Sequence, residues 1–589
     1  MGCKTKEDAA IILQSMEVTP SPVRLIVDGT QQLTVATVPE NVPNVKFVWT
    51  SVDPAVATVS EQGLVTAKKM GVTTVGVVSG HVEKAVQVIV SDKFIEITPS
   101  SVMLIVNETQ QFVATIVPEN AADGRAPVWT SADPAVATVS EQGLVTAKEI
   151  GVTTVTATSG SVKQTATVTV GAIRQSDVLS VRNGNFYLEG KKIAEISFNK
   201  FDLFWKIWDA AYAGEEINDT HPTVVLQEEA LAELSQHGFK TIRIFCMPFW
   251  FKDFKTVYDD PTKRQNIYYK AMDKTLELCE RHHIKAVFCL GAGDFTLKDW
   301  GRREDGTDGM IYHEHMADLV GDPSSEPRIR LMAYLDDVIL RYRSSPAIAM
   351  WEISNELTLS VDIQPVTLIH DGQRMPTMLQ LAGFYRDVTA KIKSLDAVRL
   401  INNGGSILRE YAYGLYRGTG WSKRDTYGQH KEMFGMIYGN TGLDVMDIHY
   451  YAIAENGYHI LEENGVTPFW LNLNEYKTIA DNLGLPIYVG EYAALPKNKS
   501  DTEFWTNYPD YFESFDGDNA DAVKWVGKAL ENAVNSGIPL IHWWCYQSNR
   551  EQDQGDPQRM DLDLQRTPAL FQMVVEANSA LKERLGIRP

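Results

Sequence analysis

Two glutamates in this 589-residue chain stand where acids are uncommon. Glu356 closes the run Ala347-Ile348-Ala349-Met350-Trp351-Glu352-Ile353-Ser354-Asn355-Glu356, and Glu491 closes Ile487-Tyr488-Val489-Gly490-Glu491. Most acids are solvated surface charges, but one that directly follows an apolar run of strand length faces the end of a sheet. Two carboxyls facing each other, one ionised and one protonated, can hydrolyse a glycosidic bond. At about 5–5.5 Å apart, one attacks the anomeric carbon while the other protonates the leaving oxygen.

The surrounding pattern supplies elements to position them. From residue 172 onward, short apolar strands alternate with helical stretches, the signature of an α/β domain. Candidate strands are Ile193–Phe198, Thr241–Phe245, Ala286–Leu290, Ile348–Ile353, Arg399–Asn402, Val445–Tyr450, Pro486–Val489 and Leu540–Trp544. Helical stretches such as Ile267–Glu280, Arg328–Tyr342 and Ala522–Asn535 lie between them, and another places Leu226, Ala230, Leu231 and Leu234 on one face before Gly238. Eight such strands predict a (β/α)8 TIM barrel over residues 172–589, whose active site forms at the C-terminal strand ends. Glu356 follows the fourth strand and Glu491 the seventh, so they can meet across the mouth. A doubly wound sheet is the alternative, but no Gly-x-Gly-x-x-Gly or phosphate loop follows the first strand.

The amino-terminal part differs. Trp49-Thr-Ser-Val-Asp-Pro-Ala-Val-Ala-Thr-Val-Ser-Glu-Gln-Gly-Leu-Val-Thr-Ala-Lys68 returns almost letter for letter from Trp129, 80 positions later. Each copy alternates apolar and polar residues between Gly, Pro and Asn, which predicts two small all-β sandwiches at 15–92 and 93–171 after a tether at 1–14. The motif, opened by Thr-Pro-Ser and closed by Gly-Val-Thr-Thr-Val, resembles bacterial immunoglobulin-like group 2 domains. That resemblance implies an extracytoplasmic location. Trp49 and Trp129 fall within the strand pattern and are expected in the core.

Trp351-Glu352-Ile353-Ser354-Asn355-Glu356 resembles the Asn-Glu acid/base signature of clan A glycoside hydrolases, and Gly490-Glu491-Tyr492 resembles their nucleophile strand. Thr241-Ile242-Arg243 is similar to the strand carrying an arginine beneath the nucleophile, Asp447-Ile448-His449-Tyr450-Tyr451 to the His-x-Tyr of the sixth strand, and Trp543-Trp544 to the sugar-stacking tryptophan. Across about residues 178–585 the chain resembles glycoside hydrolase family 5, and Val181–Lys191 followed by Phe198-Asn199 resembles its mannanase-like branch. One departure is Leu290-Gly291-Ala292-Gly293-Asp294, where many members carry a histidine.

The resemblance implies a retaining endo-β-glycanase for a β-mannan or β-glucan type polysaccharide, with Glu491 as nucleophile and Glu356 as acid/base. Arg243 would keep Glu491 ionised, and the charge of Glu491 would raise the proton affinity of Glu356. Asn355 would bind the sugar 2-hydroxyl, Tyr451 would orient Glu491, His449 would line the subsite and Trp544 would stack on the sugar. Trp205, Trp208, Phe249, Trp250, Trp300 and Trp470 fall in or beside loops and supply candidate platforms for further rings. Asp202 and Asp294 also lie at strand ends. An exo-acting β-glycosidase and a non-catalytic surface glycan-binding or adhesin protein are the alternatives.

Composition narrows the partners. Lys plus Arg number 55 against 76 Asp plus Glu, a net charge of −21 that repels polyanions and makes nucleic acid a poor partner. No stretch approaches the roughly 20 apolar residues a membrane-spanning helix needs. The 12 histidines show no His-Glu-x-x-His spacing and the five cysteines no zinc or disulfide pattern, so neither metal nor cofactor is expected. Cys246, Cys279, Cys289 and Cys545 are expected as core thiols. Cys3, just ahead of a charged stretch, resembles the lipidated first residue of a mature bacterial lipoprotein and predicts a lipid anchor at the cell surface or in the periplasm, secretion being the alternative. The expected partner is a polysaccharide or oligosaccharide, and the expected state a monomer.

Overall fold

The computed structural model describes residues 13, 15–38, 45–80, 82–117, 126–160, 162–247, 254–291, 312–360, 369–370, 373–374, 376–408, 411–417, 424–453, 459–462, 468–495, 520–546 and 567–587. Cys3, Phe249, Trp250, Asp294 and Trp300 lie outside this set, as does the side chain of Trp470. The chain divides into two compact units, 1–170 and 171–589.

The first unit repeats one sandwich design. In the first copy a four-stranded sheet runs Val23–Ile26, Val82–Ser91, Gly71–Ser79, Val48–Ser51, opposite a three-stranded sheet of Thr30–Gln32, Leu64–Ala67 and Ala57–Val59. The second copy repeats both sheets, with Val128–Ser131 pairing Gly151–Ser159 as Val48–Ser51 pairs Gly71–Ser79. Period-2 alternation explains each core: along Gly71–Ser79 the buried residues are Thr73, Val75 and Val77, every second side chain. Trp49 and Trp129 are half-buried at the core edge rather than fully enclosed. The indole of Trp49 lies across Gly63, where a Cβ would sit 2.9 Å from its Cζ2, so the turn closes only around a glycine.

The second unit is a (β/α)8 barrel. Its parallel strands are β1 (Glu195–Asn199), β2 (Thr241–Phe245), β3 (Lys285–Cys289), β4 (Ile348–Glu352), β5 (Leu400–Asn402), β6 (Met446–Ile453), β7 (Ile487–Leu495) and β8 (Leu540–Trp543). Hydrogen bonding runs in the order β5-β4-β3-β2-β1-β8-β7-β6, so all eight expected strands are present and β1 joins β8. The strands read as apolar runs because helices cover their outer faces, as expected of a parallel sheet. Ala230, Leu231 and Leu234 of the helix Pro222–Gln236 are buried as the spacing predicts, together with Val224 and Gln227, whereas Leu226 of the expected face is only half-buried.

Two features depart from the regular pattern. Among the described residues no strand ladder links β5 to β6; there Asp444 bridges the seam, its N–H donating to Ile401 O (2.9 Å) and its Oδ2 accepting from Ile401 N–H (3.0 Å). The stretch predicted as helix from Ile267 begins as π-helix over Arg264–Tyr269 and becomes α-helix at Lys270–Arg281.

A buried polar chain links β7, β8, β2 and β1. The Tyr488 hydroxyl meets His542 Nδ1 at 2.6 Å, His542 Nε2 lies 3.0 Å from Thr241 Oγ1, and Thr241 Oγ1 donates to Glu195. Because the Thr241 hydroxyl hydrogen goes to Glu195, the His542 proton is assigned to Nε2, leaving Nδ1 to accept from Tyr488. Burial holds His542 neutral, its pKa depressed to about 3. The four cysteines Cys246, Cys279, Cys289 and Cys545 are buried thiols.

Candidate active site

Glu491 is placed by an irregularity in β7. Ile448 pairs with Val489 but His449 pairs with Glu491, so Gly490 is an extra residue on its strand. Such a bulge re-aims the side chain that follows it. Its backbone is held from both sides: Gly490 N–H donates to Asp447 Oδ1 (2.9 Å), and Gly490 O accepts from Asn199 Nδ2 (2.8 Å). A Cβ at Gly490 would lie 2.8 Å from Asp447 Oδ1 and 2.9 Å from His449 Nε2, so only glycine fits.

Glu356 is placed by the turn after β4. Its φ is +53°, a left-handed conformation rare for this residue type, and its N–H donates to Gly404 O (2.7 Å). Gly404, itself at φ +62°, passes so close to this turn that a Cβ there would fall 1.6 Å from Ser354 O. Ser354 Oγ donates to Asn403 O (3.0 Å), pinning the turn to the end of β5. A strained residue held by several contacts is a pattern found at functional sites.

The two glutamates meet as expected. One donor atom each of Glu356, His449 and Glu491 lies within 4.8 Å of the others, the only cluster of such ligand-type groups among the described residues. His449 Nδ1 is 3.1 Å from Glu356 Oε1 and 3.5 Å from Glu491 Oε1. Tyr451 donates its hydroxyl to Glu491 Oε2. The environments differ: the Glu491 side chain is 5% exposed, that of Glu356 28%.

Arg243 is fully buried and organises the floor. One terminal nitrogen donates to Glu491 Oε1 (2.9 Å) and to Asn199 Oδ1 (2.9 Å); the other donates to Asn355 Oδ1 (2.6 Å) and Glu352 Oε1 (2.7 Å). Its Nε faces both oxygens of Glu352, at 3.0 and 3.1 Å. Arg243 therefore touches Glu491 as expected, but its main partner is Glu352. Sequence reading passed over Glu352, Asn199 and Asp447. The signal was present for Glu352: an acid inside the buried strand Ile348–Glu352 requires a buried cation, and Arg243 is the one at the matching position.

Two opposing effects act on Glu491. Arg243 acts to lower its pKa, in the direction expected, but burial is larger and raises the Glu491 pKa above the ordinary carboxyl value. The charge of Glu356 adds to the rise, while His449, Arg243 and the Tyr451 hydrogen bond oppose it. Burial depresses the His449 pKa to about 4, so the imidazole is neutral at pH 7. Burial first, then the charge of Glu352, raises the Asp447 pKa well above the carboxyl range.

An aromatic row lies beside these groups. Trp544 stacks on Phe201 (centroids 5.1 Å apart, planes 17°) and Phe201 on Trp205 (6.3 Å, 23°), with both tryptophans half-buried. Trp208 is not a platform: it is fully buried among Phe204, Tyr212 and Tyr268. The Asp202 carboxylate is taken by Lys200 and Gln227 Nε2 (3.2 Å).

Comparison with known proteins gives matches for both units. Residues 12–90 and 93–170 each match the bacterial Ig-like domain (group 2). Ice-binding protein 1 of Shewanella frigidimarina is 29% identical over 168 residues, 27% of this chain and 19% of that protein. An uncharacterised protein of Clostridium acetobutylicum is 26% identical over 159 residues, 25% of this chain and 16% of its own length. The chain thus spans under a fifth of these relatives. Among solved structures, a glycoside hydrolase family 5 mannosidase from Rhizomucor miehei aligns with a TM-score of 0.47 at 14% identity, covering 70% of this chain and 99% of that one. An endo-β-1,4-mannanase from Thermotoga petrophila aligns with a TM-score of 0.44 at 14% identity, covering 68% and 79%. The chain carries two tandem bacterial Ig-like domains of group 2, followed by a (β/α)8 barrel similar to glycoside hydrolase family 5 mannosidases and mannanases.

Proposed function

We propose that the barrel is a retaining endo-β-glycanase acting on a β-mannan or β-glucan type polysaccharide. The observation that carries this reading is the pair of strand-end carboxyls, one oxygen of each lying within 4.8 Å of the other. Retaining enzymes hold their two carboxyls about 5–5.5 Å apart, whereas inverting ones leave about 6.5–9.5 Å for a water.

In the first step a Glu491 oxygen attacks the anomeric carbon while Glu356 gives its proton to the glycosidic oxygen, whose bond to that carbon breaks. In the second, Glu356, now ionised, takes a proton from water; the water oxygen bonds to the anomeric carbon and Glu491 leaves with its electron pair restored. Exposure suits these roles, since Glu356 must exchange protons with water and Glu491 must not. Asn355, anchored by Arg243, presents its amide to the sugar 2-hydroxyl. Trp544 and Trp205, half-buried and both stacked on the buried Phe201, supply apolar faces for more than one pyranose ring, which favours an extended chain as substrate.

The test sets wild type beside Glu491→Ala on β-mannans, β-glucans, xylans and xyloglucan, following reducing ends and the anomer first released. Release of the β anomer from one polymer by wild type alone is expected, with mixed oligosaccharides early in the reaction. Turnover surviving in Glu491→Ala overturns the assignment, and accumulation of a single small product from the start replaces endo with exo action.

A further inference from the structure

Arg243 divides its hydrogen bonds unequally. Three of its contacts go to Glu352, at 2.7, 3.0 and 3.1 Å, and one goes to Glu491, at 2.9 Å. Glu352 is fully buried at the end of β4, and four residues later the chain supplies Glu356. A buried cation between two buried anions gives each anion only part of its stabilisation, because the field of one offsets the field it feels from the other. Paired edge-on with Glu352, the planar guanidinium is also fixed in rotation, so that its remaining N–H groups point at Glu491, Asn199 and Asn355.

We propose that Glu352 is a positioning residue that locks the Arg243 guanidinium and takes up most of its charge, thereby setting how strongly that arginine holds the Glu491 carboxylate. The proposal deepens the glycosidase reading and rests on it. A nucleophile fully paired with an arginine would stay ionised but be a poor electron-pair donor; one with no cation in a buried site would stay protonated. Sharing Arg243 with Glu352 places Glu491 between these limits. The other groups facing Glu491 are Glu356 beyond β4; Asp447, His449 and Tyr451 from β6; and Tyr488 on its own strand. Among the described groups that face it, Arg243 alone carries a positive charge at neutral pH, since His449 is neutral there.

Two variants separate charge from shape. Glu352→Gln keeps the size and one acceptor but removes the negative charge, so Arg243 acts on Glu491 unopposed. The acid limb of kcat/KM is expected to move down by about one pH unit, with kcat at the optimum falling about tenfold or more and KM changing less than about threefold. Glu352→Asp keeps the charge with a shorter reach; its kcat should fall while its acid limb stays near that of wild type. A Glu352→Gln enzyme with the wild-type acid limb overturns the proposal whatever its kcat, because a merely structural role would lower activity without moving the limb.

A second measurement reads Glu491 without turnover. Thermal unfolding is followed from about pH 4 to pH 8 in wild type, Glu491→Gln, Glu352→Gln and the double variant. A carboxyl whose folded pKa is raised contributes stability that is present at low pH and lost as pH rises through the folded value. The difference between wild type and Glu491→Gln isolates that loss, which should occur at lower pH in the Glu352→Gln background. Equal profiles in both backgrounds refute the role of Glu352, whereas an inert wild type on every polymer refutes the glycosidase reading instead.

Discussion

Glu491 is a buried acid met on one oxygen by Arg243 and on the other by the Tyr451 hydroxyl. Burial raises its pKa, and the Tyr451 bond is among the contacts that oppose the rise. On the proposed glycosidase reading only the ionised form attacks, so the acid limb of kcat/KM is expected above the ordinary carboxyl range, with activity falling as pH drops through it. Tyr451→Phe removes a hydrogen bond to a charged oxygen, worth about 1.5–3 kcal/mol. That predicts a loss in kcat/KM of about 10- to 100-fold and an acid limb moved to higher pH, both read from one pH–rate profile. An unmoved limb would mean that Tyr451 does not bond the ionised carboxylate. His449, with a pKa near 4, contributes no limb near neutrality.

The elements that aim these residues were legible to different degrees. Eight strands followed from apolar runs, because a strand buried on both faces has no polar side to disguise it. The site residues Arg243, Asn355, Glu356, His449, Tyr451, Glu491 and Trp544 were named from the motifs at strand ends, and all belong to the described barrel. What periodicity cannot reveal is a register shift: the bulge at Gly490 adds one residue to β7 and leaves no mark except a glycine before an acid. Nor does it reveal pairing across the barrel, so Glu352 passed unnoticed until Arg243 was seen beside it. Gly490→Ala tests the bulge. Its Cβ would displace Asp447 and His449, lowering kcat by about 100-fold or more and stability by about 1–3 kcal/mol. Wild-type kcat with reduced Tm would show that the aim of Glu491 survives the intrusion. The Asp444 bridge between β5 and β6 was equally silent, being one residue that joins the two through its backbone N–H and its carboxylate in place of a strand ladder.

Across the described residues, the buried histidines with depressed pKa values lie in the barrel. His430, His449 and His542 are buried and neutral, with pKa values depressed to about 3, 4 and 3. A folded-state pKa below the unfolded value means that the folded chain binds fewer protons, so stability is present above about pH 6.5 and declines as pH falls towards 4 and 3. Glu195, Asp209, Asp447 and Glu491, whose pKa values are raised, act in the opposite direction, so the histidine contribution is read as a difference. By scanning calorimetry the change in Tm between pH 6.5 and 4 should be less unfavourable in His542→Gln than in wild type, and equal pH profiles would contradict it. The amino-terminal unit carries a different consequence of its sequence. Residues 49–68 and 129–148 differ only at Val52 and Ala132, and each copy supplies three strands to its own sandwich. Gly71–Ser79 would therefore accept Val128–Ser131 almost as readily as its native neighbour Val48–Ser51. A chain emerging residue by residue meets only one of the two candidates when its first sandwich closes, whereas a chain refolding at full length must choose between near-twins. The order of synthesis thus supplies part of the specificity that the duplicated residues themselves do not encode.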